Sequence, residues 1–408
     1  MHILKSITKY VDNNKIKKRE IMAISHIKLD DIYDKNLNFI FGSGASAGLF
    51  PTLYLKIKNG EFGHTVETLA TQIENSGSAQ KNRLKALLFM HYFKTCIKPI
   101  ADFEVELLAE GTSEFQVIDN YRIFIDTVLS VLHKKPLSER KANLFTTNYD
   151  GCLAFTADRI LSKGYREFVI NDGSSGFRNR YLQAKNFNTQ VRQSGVFAKQ
   201  HSYLPQINLI HLHGSVYWQK DDQSIIVDYK KPVWSESIKL DASIVESFSI
   251  ILNDETKTFD DLEEFAAELE LFSDSAASEF LDAYNSLPIV NPTKWKFHET
   301  VFEEHYYQML RALSYELEKP NSVLICFGFS FADEHILNLL KRSLSNPQLQ
   351  LYICCYKTDS VSAMEKKFSG HNNVDFVALD DAVLDFDGFN KKVFTLNPPA
   401  DPPIEDLL

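Results

Sequence analysis

Four apolar runs, each ending in glycine or small polar residues, constrain the fold of this chain. They occupy residues 39–46, 144–150, 209–215 and 324–333. Segments with helical spacing separate them, and strands that alternate with helices indicate a parallel sheet covered on both faces. The sequence therefore predicts an α/β protein with a Rossmann-like parallel sheet and large helical insertions. In such a sheet the ends of the runs meet along one edge, where ligands bind.

The charge and the cysteine content argue against several classes of function. A net charge of −10 disfavours wrapping of DNA or RNA phosphates, so no direct nucleic-acid binding is expected. A small anionic ligand held by local backbone N–H groups is compatible with that charge. The five cysteines include no C-x-x-C pair, which argues against a zinc module and a disulfide framework. Without a membrane-spanning stretch or a signal peptide, we expect a cytoplasmic protein with no membrane partner.

The predicted organisation is one catalytic domain with three insertions, flanked by an arm and a tail. The bounds are an N-terminal arm at residues 1–30, the domain at 31–385 with helical insertions at about 50–135, 151–205 and 235–285, and a proline-rich C-terminal tail at 386–408. The arm is either a solvated helix or an oligomerisation arm. The acidic segment Asn253–Tyr284 keeps a helical apolar stripe, which predicts a surface helix or a partner surface. A short hairpin is predicted at Trp218–Asp228.

The first run ends in a glycine-rich turn. Residues 42–47 read G-S-G-A-S-A, which fits the G-x-G-x-x-A pattern of a dinucleotide-binding turn, although a tight structural turn gives the same pattern. Its glycines let the backbone approach a pyrophosphate. An ordinary dehydrogenase needs a second strand about 20 residues later, ending in an acid for the ribose. The stretch Tyr54–Glu67 has neither a clear strand nor that acid, which argues against hydride transfer.

Polar side chains follow the second and third runs. Asn148 can orient a water or a ribose hydroxyl, and Asp150 can accept hydrogen bonds from a carboxamide; a helix N-cap is the alternative for both. His211 and His213 share a face while the strand persists. We expect His213, just before Gly214, to act as a general base at the rim, with His211 in support. A hydrogen-bonded core histidine is the alternative.

The fourth run supplies a glycine turn, a hydroxyl and an acid at Gly328, Ser330 and Asp333. These residues are expected either to contact the ribose and phosphate of a cofactor or to begin a capped helix near Asp333. Together the four motifs fit chemistry on a nucleotide cofactor.

Taken in order, the motifs resemble those of the sirtuin (silent information regulator) family. That family has a G-A-G-x-S loop, a T-Q-N-x-D segment, an H-G dipeptide and a late G-x-S turn. The matching residues are Gly42, Gly44, Ser46, Asn148, Asp150, His213, Gly214, Gly328 and Ser330, with Ser43 in place of the usual Ala and Thr147 in place of Gln.

The resemblance implies a sirtuin or DHS-like NAD-binding fold and assigns roles to these residues. His213 would act on a ribose hydroxyl, Asn148 would position the ribose or the attacking water, and Asp150 would hold the nicotinamide amide. Contacts to NAD would come from a wider set, namely Gly42, Ser43, Gly44, Ala45, Ser46, Thr147, Gly214, Gly328, Ser330 and Asp333. No metal is expected.

One departure from the family bears on the activity. Sirtuin deacylases carry a zinc module with two C-x-x-C pairs between the H-G dipeptide and the late glycine turn, whereas residues 215–325 contain no cysteine. The pattern looks closer to the bacterial sirtuin-like proteins of anti-phage defence, which hydrolyse NAD to nicotinamide and ADP-ribose. Members of that class work with other proteins, among them Argonaute-like proteins and HerA-type ATPases.

The resemblance thus implies an NAD⁺ hydrolase with NAD as its substrate. We expect it to form a homo-oligomer and to be activated by a separate partner, such as a HerA-type ATPase or another phage-sensing protein. An NAD-dependent protein deacylase and a non-catalytic NAD or ADP-ribose sensor are the alternatives, and a dehydrogenase is a more distant one.

Overall fold

The computed structural model describes most of the chain. The described residues are 23–59, 62–164, 166–194, 201–232, 234–269, 272–291, 300–380 and 382–397.

A parallel sheet forms the centre of the fold, and seven strands build it in the described part of the chain. In chain order they are β1 (Asn36–Phe41), β2 (Lys141–Thr146), β3 (Val169–Asn171), β4 (Gln206–His211), β5 (Ser322–Phe327), β6 (Leu349–Cys354) and β7 (Val374–Val377). Their order across the sheet is β7-β6-β5-β1-β2-β4-β3, and every neighbouring pair is parallel. The predicted α/β class and parallel sheet are confirmed.

Helices cover the sheet. The longer ones are α1 (Val66–Asn75), α2 (Lys81–Tyr92), α3 (Ser113–Lys134), α4 (Cys152–Ser162), α5 (Ala242–Leu252), α6 (Phe259–Glu268), α7 (Asp274–Asn285), α8 (Thr300–Glu318), α9 (Glu334–Ser343) and α10 (Val361–Lys367). Shorter ones span Lys98–Ala101, Trp234–Ser237 and Phe386–Gly388. Within the described residues, none of these helices combines the length and the apolar character needed to cross a bilayer.

The side chains of β1 alternate between two hydrophobic cores, as expected for a strand buried on both faces. Phe39 and Phe41 belong to the core that contains α3, where both rings meet the Phe124 ring edge-on at 4.9 and 4.8 Å between centroids. Ile40 points to the opposite core, which contains Met309 of α8. The sheet is therefore packed between two hydrophobic layers.

Short antiparallel strands form small sheets separate from the central one. Trp218–Asp221 pairs with Ser224–Val227, which confirms the predicted hairpin. Tyr54–Asn59 pairs with Phe62–Thr65, so the expectation that this stretch lacks a strand was wrong. Because that hairpin lies outside the central sheet, it does not supply the second strand of an ordinary dehydrogenase. The other short strands are Ser174–Ser175, Tyr181–Leu182, Arg192–Ser194 and His201–Tyr203.

The acidic segment also differs from the prediction. Asn253–Tyr284 contains two helices, α6 and α7, instead of one. Thr258 is the N-cap of α6, which ends at Glu268, and Ser273 is the N-cap of α7, which begins at Asp274. Leu262 is buried on α6, so the predicted apolar stripe does face the core.

The N-terminal end of the described chain is part of the domain. Ile24 forms an isolated parallel bridge with Val377 of β7, and the side chain of Ile27 is buried. The predicted arm at residues 1–30 therefore ends too late, because these apolar side chains pack against the sheet. Residues 1–22 lie outside the described part of the chain.

The predicted C-terminal tail begins too early for a similar reason. Phe386, Phe389 and Phe394 are buried in the core on the α3 face of the sheet. The start of the segment 386–408 is thus core structure, and the proline-rich residues 398–408 lie outside the described residues.

A row of side-chain amides crosses four adjacent strands. Asn143 Nδ2 donates to Oδ1 of Asn38 at 2.8 Å, and Asn208 Nδ2 donates to Oδ1 of Asn143 at 2.8 Å. Asn171 Nδ2 donates to Oδ1 of Asn208 at 3.1 Å. Each pair is directly opposite in the strand register. A one-residue slip would leave these buried amides unpaired, so the row fixes the register of β1, β2, β4 and β3.

We expect Asn143→Ala to lower the free energy of unfolding by about 1–3 kcal/mol, since it leaves Oδ1 of Asn38 buried without a partner and leaves Nδ2 of Asn208 with only the Phe187 carbonyl. Urea unfolding followed by circular dichroism measures this. Asn75→Ala, at the exposed end of α1, is the control and should change stability by less than about 0.5 kcal/mol. Equal effects for the two variants would contradict a register role for the row.

Candidate active site

The ends of four strands lie at one level along the sheet edge. Phe41, the last residue of β1, is opposite both Thr146 of β2 and Phe327 of β5. Thr146 is in turn opposite His211, the last residue of β4. The segments that follow these strands therefore leave the sheet side by side, as the sequence predicts.

A cleft opens at this edge, enclosing about 910 Å³ including its open mouth. Of the thirteen predicted site residues, ten line it: Gly42, Ser43, Ser46, Thr147, Asn148, Asp150, His213, Gly328, Ser330 and Asp333. Gly44, Ala45 and Gly214 do not line it and lie just behind its wall.

The first and fourth motifs touch through their glycines. Gly42 N donates to the Phe327 carbonyl at 3.1 Å, and Gly44 N donates to the Gly328 carbonyl at 3.0 Å. A Cβ on Gly44 would lie 2.7 Å from Gly328 Cα, so no larger residue fits. Gly328 itself has a φ of +62°, a backbone conformation that glycine adopts readily.

This contact uses backbone N–H groups of the turn that were expected to bind a pyrophosphate. The N–H groups of Gly42 and Gly44 are used within the protein, and Ala45 N donates to the Gly42 carbonyl at 3.0 Å. Much of the turn's donor capacity therefore holds the two loops together. Among the residues of this turn that line the cleft, Ser43 and Ser46 contribute hydroxyl groups.

Ser46 joins the first motif to the second. Its hydroxyl donates to Oδ2 of Asp150 at 2.8 Å and accepts from Nδ2 of Asn148 at 3.3 Å. Tyr121 of α3 lies 2.8 Å away, and its phenol is the donor because the Ser46 hydrogen already points to Asp150. Burial, with the Asp150 charge adding to it, raises the pKa of Tyr121 well above its usual range, so it remains a donor.

Asp150 is committed to this network. Its Oδ1 accepts from the backbone N–H of Cys152, the first residue of α4, at 3.0 Å. Both carboxylate oxygens thus have protein partners, and only 8% of the residue is exposed. The N-cap of α4 is Gly151, so neither Asn148 nor Asp150 is the N-cap, although Asp150 binds the first N–H of the helix and also lines the cleft.

His211 is hydrogen-bonded to the backbone of Asn148. Its Nδ1 lies 3.1 Å from the Asn148 carbonyl oxygen, an acceptor, so Nδ1 carries the hydrogen. Nε2 is buried with no hydrogen-bond partner among the described residues. Burial lowers the pKa of His211, which keeps the ring neutral and suits this single donor. The backbone of Asn148 is also fixed through its N–H, which donates to Thr146 Oγ1 at 3.0 Å.

His213 pairs with the acid of the fourth motif. Its Nε2 lies 3.0 Å from Oδ2 of Asp333, while Asp333 Oδ1 accepts from the backbone N–H groups of His335 and Ile336 at the start of α9. The capped-helix interpretation of Asp333 is therefore right, and the same carboxylate also orients the imidazole. The side chain of His213 is 15% exposed, so it is reachable from the cleft.

Several lining residues carry no motif that sequence reasoning could detect. Glu67 comes from α1, Tyr92 and Cys96 come from α2 and the turn after it, Tyr149 lies between two predicted site residues, and Asn291 follows α7. The Tyr149 hydroxyl donates to the Val290 carbonyl at 2.6 Å, which ties the second motif to the segment beyond α7. Only the position of Tyr149 within T-N-Y-D offered a signal.

The cleft lining is acidic within the described residues. It includes the carboxylates of Glu67, Asp150 and Asp333 and no Lys or Arg. No group of three or more His, Cys, Asp or Glu side chains suited to a metal ion occurs in the described residues. The arrangement can therefore orient a ligand with hydroxyl and amide groups and can accept a proton at His213.

Neither the protein-family models nor the curated proteins include a match to this chain.

We expect Gly44→Ala to cost about 1–3 kcal/mol of stability, because its Cβ meets the Gly328 backbone at 2.7 Å and forces the two loops apart. Gly77→Ala is the control, since nothing lies within 4 Å of its added Cβ. Thermal unfolding of both variants measures the difference. A Gly44 variant as stable as the Gly77 variant would mean that the close contact between the loops is dispensable.

Proposed function

We propose that this protein is an NAD⁺ glycohydrolase, which cleaves the bond between nicotinamide and ribose and releases nicotinamide and ADP-ribose. The observation that carries the proposal is that Asn148 and the His213–Asp333 pair line one cleft, at the edge of a parallel sheet. The order of the motifs, which resembles that of sirtuin-like NAD-hydrolysing proteins, suggests the identity of the ligand.

The reaction needs no covalent bond between the protein and the substrate. The bond between ribose C1′ and the ring nitrogen breaks with its electron pair moving to the nitrogen, so nicotinamide leaves as a neutral pyridine. A water oxygen bonds to C1′, and one water proton is released. The catalyst must fix the ribose and position the water beside it.

Asn148 and His213 fit those two tasks. The amide of Asn148 can donate and accept, so it can orient a ribose hydroxyl or the attacking water. With His213 Nε2 held by Asp333, Nδ1 is the nitrogen that remains for a ribose hydroxyl or water proton. Asp333 would stabilise the positive charge that the ring acquires, and such proton transfer is typically worth about 10²–10⁴-fold in rate.

The charge of the cleft favours the cationic nicotinamide end of this substrate. Glu67, Asp150 and Asp333 line it without a lining Lys or Arg among the described residues. A cationic nicotinamide ring is attracted to such a lining, whereas the neutral product is not. The pyrophosphate would depend on hydroxyl and N–H groups, with Ser43 and Ser330 among the lining hydroxyls.

Regulation by other proteins belongs to the same proposal. A constitutive NAD hydrolase would kill its own host, so we propose that activity is latent until a homo-oligomer forms or a partner such as a HerA-type ATPase binds. This part rests on the resemblance to anti-phage proteins. A protein deacylase is the second candidate, and it would form acetyl-ADP-ribose from an acetylated peptide.

His213→Ala and Asn148→Ala should each lower nicotinamide release by at least about 100-fold, because each removes a group that orients or deprotonates the reactants. The measurement is chromatography of the products after NAD is added to the purified chain, with and without a candidate partner ATPase. His133→Ala, on an exposed turn of α3, is the matched control and should retain full activity. Nicotinamide release by the His213 and Asn148 variants at the control rate would exclude both residues from the mechanism.

Asp333→Asn tests the His213 pair separately from the helix cap. The Asn keeps an oxygen for the α9 cap but places an NH₂ where Oδ2 meets His213, so activity should fall by about 10²-fold or more with little loss of stability. Asp241→Asn is the control, because Asp241 caps α5 with the same two-bond geometry away from the cleft. Equal activity of the two variants would argue against an orienting role for Asp333.

A further inference from the structure

An unsatisfied amide oxygen lies in the wall of the cleft. Asn291 lines the cleft, and its Oδ1 is buried with no hydrogen-bond partner among the described residues. Its Nδ2 donates to Oδ1 of Asn285 at 3.4 Å, which accounts for the orientation of the amide. Buried acceptors in native proteins are almost always paired, so an unpaired one in a ligand site suggests that a ligand supplies the donor.

Val290, the residue before Asn291, is hydrogen-bonded through its backbone to residues of the second and third motifs. Val290 N donates to the His213 carbonyl at 2.8 Å, and the Val290 carbonyl accepts from the Tyr149 hydroxyl at 2.6 Å. Asn291 therefore follows a residue that is bound to both the second and the third motif, and it lines the same cleft as His213 and Tyr92. A ligand donor that reaches Asn291 would belong to the nicotinamide end of the substrate.

Asn291 offers the carboxamide of nicotinamide an acceptor besides Asp150. The resemblance gives that task to Asp150, but its Oδ2 is held by the Ser46 hydroxyl and its Oδ1 by Cys152 N. Asp150 could accept a further hydrogen bond only alongside these two partners, one of which also contacts Asn148. Asn291 Oδ1 carries no such commitment.

We infer that Asn291 Oδ1 accepts a hydrogen bond from the carboxamide N–H of nicotinamide, which makes Asn291 a positioning residue for the leaving group. The inference rests on the proposed function. It also predicts the selectivity of the site, because a ring substituent without an N–H would leave the buried oxygen unpaired. Sites that bind a substrate N–H discriminate against analogues that lack it.

The test compares NAD with its 3-acetylpyridine analogue, in which the NH₂ of the carboxamide is a methyl group. Dissociation constants are measured by calorimetry in the full chain, with Asn148→Ala in every protein so that neither ligand is consumed. With Asn291 present, NAD should bind about tenfold more tightly than the analogue. With Asn291→Leu, which removes the acceptor, the two should bind within about twofold of each other.

Asn291→Asp is the conservative variant, and it should keep the preference for NAD because it keeps an acceptor. Asn291→Ala provides the same test as Asn291→Leu if the larger side chain disturbs folding. A tenfold preference that survives both Asn291→Leu and Asn291→Ala would overturn the inference, as would equal binding of the two ligands with Asn291 present. If NAD does not bind even with Asn148 and Asn291 intact, the proposed function fails together with the inference.

Discussion

The register of the central sheet is the constraint on which the site depends. Asn38, Asn143, Asn208 and Asn171 link four strands through buried amides that meet only when the strands are in this register. Three residues further along, the ends of β1, β2 and β4 come level, and β5 joins them through its pairing with β1. A slip of one residue would turn the loop residues away from each other. The cleft exists because these strand ends coincide.

Several side chains in the site serve the fold and the proposed chemistry at once. Asp333 caps α9 with one oxygen and orients His213 with the other. Ser46 links Asp150, Tyr121 and Asn148 through a single hydroxyl. Such shared use keeps the polar groups of the cleft in fixed positions, which is what orientation of a ribose and a water requires. It also explains why motifs that look like helix caps in the sequence are found in the cleft.

The sequence predicted the parallel sheet and most of the cleft lining, because buried strands and the residues after them have strong local patterns. The contact between Gly44 and Gly328 could not be predicted, since it joins residues far apart in the chain. Tyr92 and Asn291 were missed because nothing in their local sequence marks them as site residues. Phe386 and its neighbours were assigned to a tail because the nearby prolines outweighed their aromatic spacing. Tertiary packing decides such cases.

The central claim is that one nucleotide binds across the four strand ends. Its most direct test is a crystal structure of the full chain grown with ADP-ribose, the proposed product. We expect the ribose to lie within hydrogen-bond distance of both Asn148 and His213, with the pyrophosphate beside the turn that contains Ser43. Density for the ligand in another cavity, or an empty cleft at saturating ADP-ribose, would contradict it.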